Sequence, residues 1–488
     1  MGNEVKPELA NKKRVLIAGG VYDKTFAIVR SCIEDKINIC GIVAFKKDFE
    51  KKDEKFPVPV WFYEQLLNPK FKSTQYHAGY EDCLRSLLAD PRTAYFCERY
   101  HGIKMHNGIF NQTVQVEVAC WNSLAILSES RPDRVIFMNL PHKLITWIFG
   151  RCVEFLGIPT YFAVKSSLPW RYWAVKGIDE QDVVDIYKAN YASACGNGPS
   201  ERAIQFVEKK KQSYEIGIPE AQKNKLEKND GRIWSWKKEL YQALSWDPLK
   251  LLINIINLKR KYGLFKVYNN LSEPVQLNEP YIVFFLHYQP EATTLPRGLG
   301  YTQQWLAVRA LHAALPSGCK LVVKEHPSTF LKPIKAVRDN RFYKAMAALP
   351  QVILAPLEAD PFKLIDSSLA VVTLTGTAGF EAVCRGKPVL ILGAAKYKDC
   401  PGTFFVSSIA QMARALQQII SAGERPAKEK LYAYLSWVES LSITGLSGDG
   451  KDDPGKKNIR EIAKIKIWES LIRMEEDPLP VSFGSSNG

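Results

Sequence analysis

Short apolar runs, four to six residues long and rich in β-branched side chains, recur along this chain with room for one helix between them. Residues 14–18 and 39–45 read as strands, residues 25–34 as the helix between them, and Gly19-Gly20 as the turn that closes the first strand. The alternation continues with a helix over 114–128, a strand over 134–138, a helix over 143–156 and a strand over 160–164 after Gly157-Ile158-Pro159. A region rich in Lys and Glu, about 200–230, interrupts the pattern and reads as connecting helices. It resumes with strands over 281–286, 320–323, 352–354 and 370–373 and helices over 304–315, 340–348 and 409–422. Near the end, 447–457 is turn-rich, 459–474 has the period of a helix that packs back across the first domain, and the last residues read as frayed.

Alternating strands and helices predict parallel sheets, so the fold class expected is α/β with two Rossmann-like domains. Expected boundaries are an N-terminal acceptor domain over 1–180, a basic helical connection over 181–275, a nucleotide-binding domain over 276–445, and a linker, helix and tail over 446–488. A chain of 488 residues, 46% of them hydrophobic, buries two cores readily, and a ligand cleft between them is the common outcome.

The opening MGNEVKPELANKKR lacks an apolar signal-peptide segment and no run reaches membrane-spanning length, so the expected location is cytoplasmic, with peripheral contact at the inner membrane. Ten cysteines without a CxxC pair or Cys/His ligand spacing read as ordinary buried thiols, and no structural metal is expected. A net charge of +15 draws anionic partners of any kind. Residues 231–270 carry eight Lys and Arg, among them Lys259, Arg260 and Lys261, against Glu239 and Asp247, interleaved with Trp234, Trp236, Tyr241 and Trp246. That mixture suits an anionic membrane surface, and equally a solvated helix whose tryptophans pack inward. No RNA-binding signature or helix-turn-helix accompanies the charge, so nucleic acid is not an expected partner.

The chemistry concentrates where strands end. After the strand 370–373, Thr375, Gly376, Thr377 and Gly379 let a phosphate approach the backbone, and a helix is expected to open near Phe380 with Glu381 in its first turn. Glu381 there reaches a ribose diol or offsets the helix dipole. After the strand 320–323, His326 precedes Pro327, whose ring holds it extended and aims the imidazole toward the cleft, unless it serves as a core or capping histidine. Lys324 and Glu325 are expected to pair with each other.

HYQPE (His287 to Glu291), KEHP (Lys324 to Pro327), TGTAGFEA (Thr375 to Ala382) and GKPV with a following LG resemble the bacterial capsule polysaccharide biosynthesis proteins. That group has a GT-B fold, two Rossmann-like domains with a cleft between them, and includes Kdo transferases. The resemblance is diffuse over the first domain, resting on NLPH, LGIPT and SLPWRYW, and residues 200–275 match no pattern. It implies transfer of a sugar, Kdo from CMP-Kdo, to a surface glycan or glycolipid, with a nucleotide-sugar substrate and no separate cofactor. In that family and in bacterial sialyltransferases an HP pair contacts the CMP phosphate, which maps to His326 and Pro327. The implied donor set is Gln289, His326, Pro327, Thr375, Gly376, Thr377, Gly379 and Glu381, with Glu291, Glu98 and His142 as catalytic candidates. Glu291 would serve as nucleophile or base, and Glu98 or His142 would activate an acceptor. Equally, Glu98 bridges Arg92 or Arg99, and His142 caps a helix. The competing readings are a CDP-glycerol glycerophosphotransferase and a non-catalytic glycan-binding assembly partner.

Overall fold

The computed structural model describes residues 13–19, 22–34, 37–48, 56–70, 77–101, 109–137, 140–141, 143–168, 171–177, 198–212, 244, 248–289, 291, 294, 297–331, 338–421, 423, 425–441, 443–444 and 472. The chain divides into two compact units, residues 1–198 with 435–488, and residues 199–434. Each is built on its own largely parallel sheet, so the two Rossmann-like α/β units expected from the alternating pattern are present.

In the first unit, β1 (Arg14–Ala18), β2 (Asn38–Ala44), β3 (Val60–Phe62), β4 (Arg134–Phe137) and β5 (Thr160–Lys165) are parallel in the order β5-β4-β1-β2-β3. Helices α1 (Tyr22–Glu34), α2 (Tyr80–Ala89), α3 (Pro91–His101), α4 (Ile109–Ser130) and α5 (Leu144–Phe155) are the crossovers and coverings. Val15, Leu16 and Ile17 are fully buried because a parallel sheet is covered on both faces. Gly19 sits at φ 93° and donates to the Val43 carbonyl at 2.6 Å, a turn that a side chain would strain. Strand β6 (Arg171–Lys176) doubles back antiparallel on β5, and Ile443–Thr444 add an antiparallel edge to β6. The helix read over 459–474 lies outside the described residues except for Ile472. That residue is buried in this unit's core, and its carbonyl accepts from Arg134 at 2.6 Å.

The second unit begins with α6 (Glu201–Gln212) and α7 (Pro248–Leu271). Then come β7 (Tyr281–Phe285), α8 (Gln304–Ala313), β8 (Lys320–Lys324), α9 (Ser328–Leu331), α10 (Asn340–Ala347), β9 (Val352–Ala355), α11 (Pro361–Ser367), β10 (Ala370–Thr373), α12 (Thr377–Cys384), β11 (Val389–Ile391), β12 (Thr403–Phe405) and α13 (Ile409–Ser421). The strands are all parallel in the order β12-β11-β10-β7-β8-β9, the doubly wound arrangement of two mononucleotide-binding halves. Local chemistry explains the element ends. Asp339 caps α10 by accepting from Phe342 N–H at 3.1 Å, and Asp360 caps α11 by accepting from Phe362 N–H at 2.8 Å, with Pro361 as the first helical residue. Met412, Ala415, Leu416 and Ile419 form the buried stripe of α13.

Helix α7 corrects one expectation. Lys261, grouped with Lys259 and Arg260 as an outward cation, is only 4% exposed, whereas the other two are exposed. It shares a stripe with Leu264 and Tyr268, which pack on the core, so its aliphatic stem follows them inward. The amino-terminal half of α7 instead exposes Leu252, Ile253 and Ile256, at 56%, 49% and 56%. Trp234, Trp236, Tyr241 and Trp246 lie outside the described residues. Among the described residues no helix is long and apolar enough to cross a membrane.

Candidate active site

Strand order in the second unit reverses between β7 and β10, and the crevice outside their carboxyl ends is where open parallel sheets bind ligands. The loop leaving β7 carries His287, and the loop leaving β10 carries Thr375 and Gly376. These loops meet: Thr375 N–H donates to His287 Nε2 at 3.2 Å, and a Cβ on Gly376 would lie 3.0 Å from the same nitrogen. Gly376 also donates its N–H to Thr373 Oγ1 at 3.0 Å and is the N-cap of α12. Its φ of −74° is open to any residue, so glycine is required there by space and not by backbone conformation.

The main chain of His287 is held at both its N–H and its carbonyl. Its N–H donates to Gln304 Oε1 at 2.7 Å, and its carbonyl accepts from Gln304 Nε2 at 3.0 Å and from Arg338 Nη2 at 2.5 Å. Burial, reinforced by the nearby charges of His326 and Arg338, pulls its pKa down to about 3, so the ring is neutral at physiological pH and Nε2 remains an acceptor.

The HP loop follows β8. Glu325, fully buried, is held by Arg338, by Tyr343 Oη at 2.5 Å and by Thr329 Oγ1 at 3.1 Å, and it accepts the His326 N–H at 2.6 Å. Lys324 turns away and donates to the carbonyls of Pro356 and Leu357 at 3.1 and 2.9 Å. The expected Lys324–Glu325 pair is therefore replaced by a Glu325–Arg338 pair, because adjacent residues at a strand end point to opposite faces of the sheet. His326 Nδ1 accepts the Ser328 N–H at 3.1 Å, which makes Nε2 the protonated nitrogen of the neutral ring. The capping role considered for His326 and a role for its second nitrogen thus coexist. Pro327 opens the turn into α9, its carbonyl accepting from Phe330 N–H at 3.0 Å.

Two members of the implied donor set occupy different positions from those expected. Helix α12 starts at Thr377, so Gly379 lies inside the helix and Glu381 in its second turn. A Cβ on Gly379 would strike the Tyr397 hydroxyl and come within 2.8 Å of Thr373 Cγ2, so this glycine serves close packing of helix on strand. Glu381 is 6% exposed and accepts from Lys210 of α6 at 3.2 Å, and burial raises its pKa. That ion pair is the contact the carboxylate makes within the chain. Thr377 occupies the first helical position, beside Gly376.

Gln289 is buried and donates to the Thr302 carbonyl at 2.8 Å, bracing the loop after β7. Glu291, partly exposed on that loop, anchors a turn through its carbonyl, which accepts from the Thr294 N–H and hydroxyl, both at 3.0 Å. Burial and the Glu291 charge raise the Tyr288 pKa, so the carboxylate lies near that phenol. In the first unit, Glu98 is on α3 but its side chain lies outside the described residues, as does all of His142. Arg92, one of the partners considered for Glu98, donates to Asp90 at 2.7 Å.

Sequence reasoning missed His287, Arg338 and Arg297 as parts of this edge. His287 stood in the quoted HYQPE run. Arg338 and Arg297 had no motif to mark them. Arg297 pins the loop after β11 by accepting the Ala394 N–H at 2.9 Å, and its carbonyl is 2.6 Å from where a Gly393 Cβ would lie. Burial lowers its pKa to about 10, which leaves it a cation at neutral pH.

A family model described as capsule polysaccharide biosynthesis protein matches residues 304–411, which includes the HP and TGTAG loops. No curated protein matches the sequence. Among solved structures, the chain is similar to the UDP-GlcNAc 2-epimerase of Methanocaldococcus jannaschii at 12% identity, over 88% of this chain and 99% of that one, with a TM-score of 0.24. The UDP-GlcNAc 2-epimerase of Neisseria meningitidis gives 13% identity over 94% and 99% of the two chains, with a TM-score of 0.23. KpsC of Thermosulfurimonas dismutans, a beta Kdo 2,7 transferase, gives 13% identity over 70% and 88%, with a TM-score of 0.29. The similarity to the capsule polysaccharide biosynthesis family is confined to residues 304–411, within the second unit.

Proposed function

We propose that the protein is a nucleotide-sugar-dependent glycosyltransferase that moves Kdo from CMP-Kdo to a bacterial surface glycan or glycolipid, with no separate cofactor. The observation that carries this reading is the junction of the His287 and Gly376 loops at the strand-order reversal, beside the HP loop and within a unit whose residues 304–411 match the capsule family. The leaving nucleotide phosphate would sit over Gly376 at the amino end of α12, with Thr377 and its backbone N–H below it. His326 Nε2–H and the Arg297 cation would meet the phosphate oxygens, stabilising charge as the glycosidic bond breaks. Glu291, at the same edge, would serve as base or nucleophile. His287 positions the crevice: a neutral acceptor there holds the Thr375 N–H and leaves the helix N–H groups for the ligand.

The membrane contact belongs to the same proposal. Exposed Leu252, Ile253 and Ile256 next to exposed Lys259 and Arg260 suit the surface of an anionic bilayer, where a glycolipid acceptor resides. The cytidine assignment is tested by ligand-dependent melting. CMP at about a hundredfold its dissociation constant should stabilise the protein by roughly 2.7 kcal/mol, and UMP or AMP at equal concentration by less. Equal shifts, or none with CMP, would refute it.

A further inference from the structure

Three helices of the first unit each turn one cysteine toward a common point: Cys83 of α2, Cys120 of α4 and Cys152 of α5. Cys152 is 69 residues from Cys83 and 32 from Cys120, so no ligand-like spacing exists in the sequence and folding alone assembles the group. The Sγ atoms of Cys83 and Cys152 are 3.7 Å apart, those of Cys152 and Cys120 are 4.0 Å apart, and all three lie within 4.8 Å of one another. None of the three residues has exposed surface.

These separations match metal geometry. Sulfurs bound at about 2.3 Å around a tetrahedral zinc ion stand about 3.8 Å from one another. Cysteines that merely fill a core behave as small hydrophobes and gain nothing from aiming three sulfurs at one spot. A disulfide would join two of them and leave the third over. Among the described residues, this is the group of metal-ligand side chains whose donor atoms converge.

An imidazole stands at the entrance to α2. His77 Nδ1 accepts the Gly79 N–H at 3.1 Å, and the Gly79 carbonyl accepts the Cys83 N–H at 3.0 Å, so the ring is tied to the turn that carries Cys83. That hydrogen bond makes Nδ1 the unprotonated nitrogen and leaves the proton of the neutral tautomer on Nε2, so His77 braces the turn and is not itself a metal ligand.

We propose that Cys83, Cys120 and Cys152 bind a zinc ion that clamps α2, α4 and α5 together, with a solvent-derived ligand in the fourth position. Each thiol still protonated loses its proton to solvent as its Zn–S bond forms, and no oxidation or reduction occurs. Three thiolates from three different helices tie the ion to the fold of the first unit. The ordinary buried thiols expected from the sequence would then be ligands.

The test uses the full-length chain under reducing conditions. After chelation, titration with Co2+ should saturate at one equivalent, with thiolate-to-cobalt charge-transfer absorption and the intense visible bands of four-coordinate cobalt, and Zn2+ should displace it. Cys120→Ser should weaken Zn2+ binding by more than about a hundredfold, since even outer-shell changes cost about ten- to a hundredfold. The wild-type titration needs no variant to fold. No stoichiometric Co2+ or Zn2+ binding, binding without the thiolate band, or an intact Cys83–Cys152 disulfide in the native protein would overturn the proposal.

Discussion

Two glycines three residues apart should fail in different ways when each is changed to alanine. A Cβ at position 376 would lie 2.9 Å from Thr373 Oγ1 and 3.0 Å from His287 Nε2. These are the two acceptors that hold the Gly376 and Thr375 N–H groups, at 3.0 and 3.2 Å. Pushing them outward weakens two hydrogen bonds worth about 0.5–1.5 kcal/mol each, and places a methyl where the phosphate is proposed to sit. The backbone needs no change, since φ −74° and ψ 153° suit alanine. Gly376→Ala should therefore cost about 1–3 kcal/mol of stability and weaken CMP binding by about tenfold or more. A Cβ at position 379 faces the Tyr397 hydroxyl, Thr373 Cγ2 at 2.8 Å and Val389 Cγ1 at 3.1 Å, all packing contacts. Overpacking there costs about 1–3 kcal/mol, offset by about 1 kcal/mol of better helix propensity. Gly379→Ala should lower the melting temperature while changing CMP affinity far less than Gly376→Ala does. Melting curves with calorimetric titration of CMP separate the two effects. Unchanged affinity in Gly376→Ala, or a larger loss in Gly379→Ala, would refute the assignment of the crevice.

The remaining sites divide into binding, chemistry and location. His326→Ala should weaken CMP binding by about 1.5–3 kcal/mol, measured calorimetrically, while the far-ultraviolet spectrum stays native; unfolding without a specific affinity loss would make the histidine a cap alone. Glu291→Gln should lower transfer by about a hundredfold or more with CMP affinity near that of the parent, and a parental rate would send the search to Glu98. Changing Lys259 and Arg260 to Gln, or Leu252 and Ile256 to Asp, should reduce co-sedimentation with anionic vesicles, the first pair in a salt-sensitive way because screening acts beyond about 8 Å. Sedimentation unaffected by either pair would leave α7 without a lipid role.

The parallel strands were legible because burial on both faces forces continuous apolar runs, as at Leu321 to Val323 and Ala370 to Val372. Strand β6 was hidden because it begins within SLPWRYW, and a run containing Arg, Trp and Tyr without strict alternation does not declare a strand. The HP and TGTAG loops could be found from the sequence because small residues and a proline after a strand carry a local mechanism. Their supports could not. Arg338 reaches Glu325 from the residue before the Asp339 cap, and Lys210 reaches Glu381 across 171 residues. Both partnerships depend on tertiary position alone. Gly379 shows the same limit from the other side: the residue type was informative, but whether it admits a ligand or a neighbouring strand depends on where the helix begins. The three converging thiols are the extreme case, with nothing in their spacing to announce them.

The central claim is that this protein breaks the bond between a sugar and a cytidine nucleotide at the crevice between β7 and β10. The most direct measurement is CMP release from CMP-Kdo by purified protein with acceptor glycolipid, run beside UDP-sugars and CDP-glycerol and repeated with His326→Ala. The account predicts CMP release coupled to Kdo incorporation, little turnover of the other donors, and a rate reduced in the variant. Turnover of CDP-glycerol in place of CMP-Kdo, or release from CMP-Kdo that His326→Ala leaves unchanged, would contradict it.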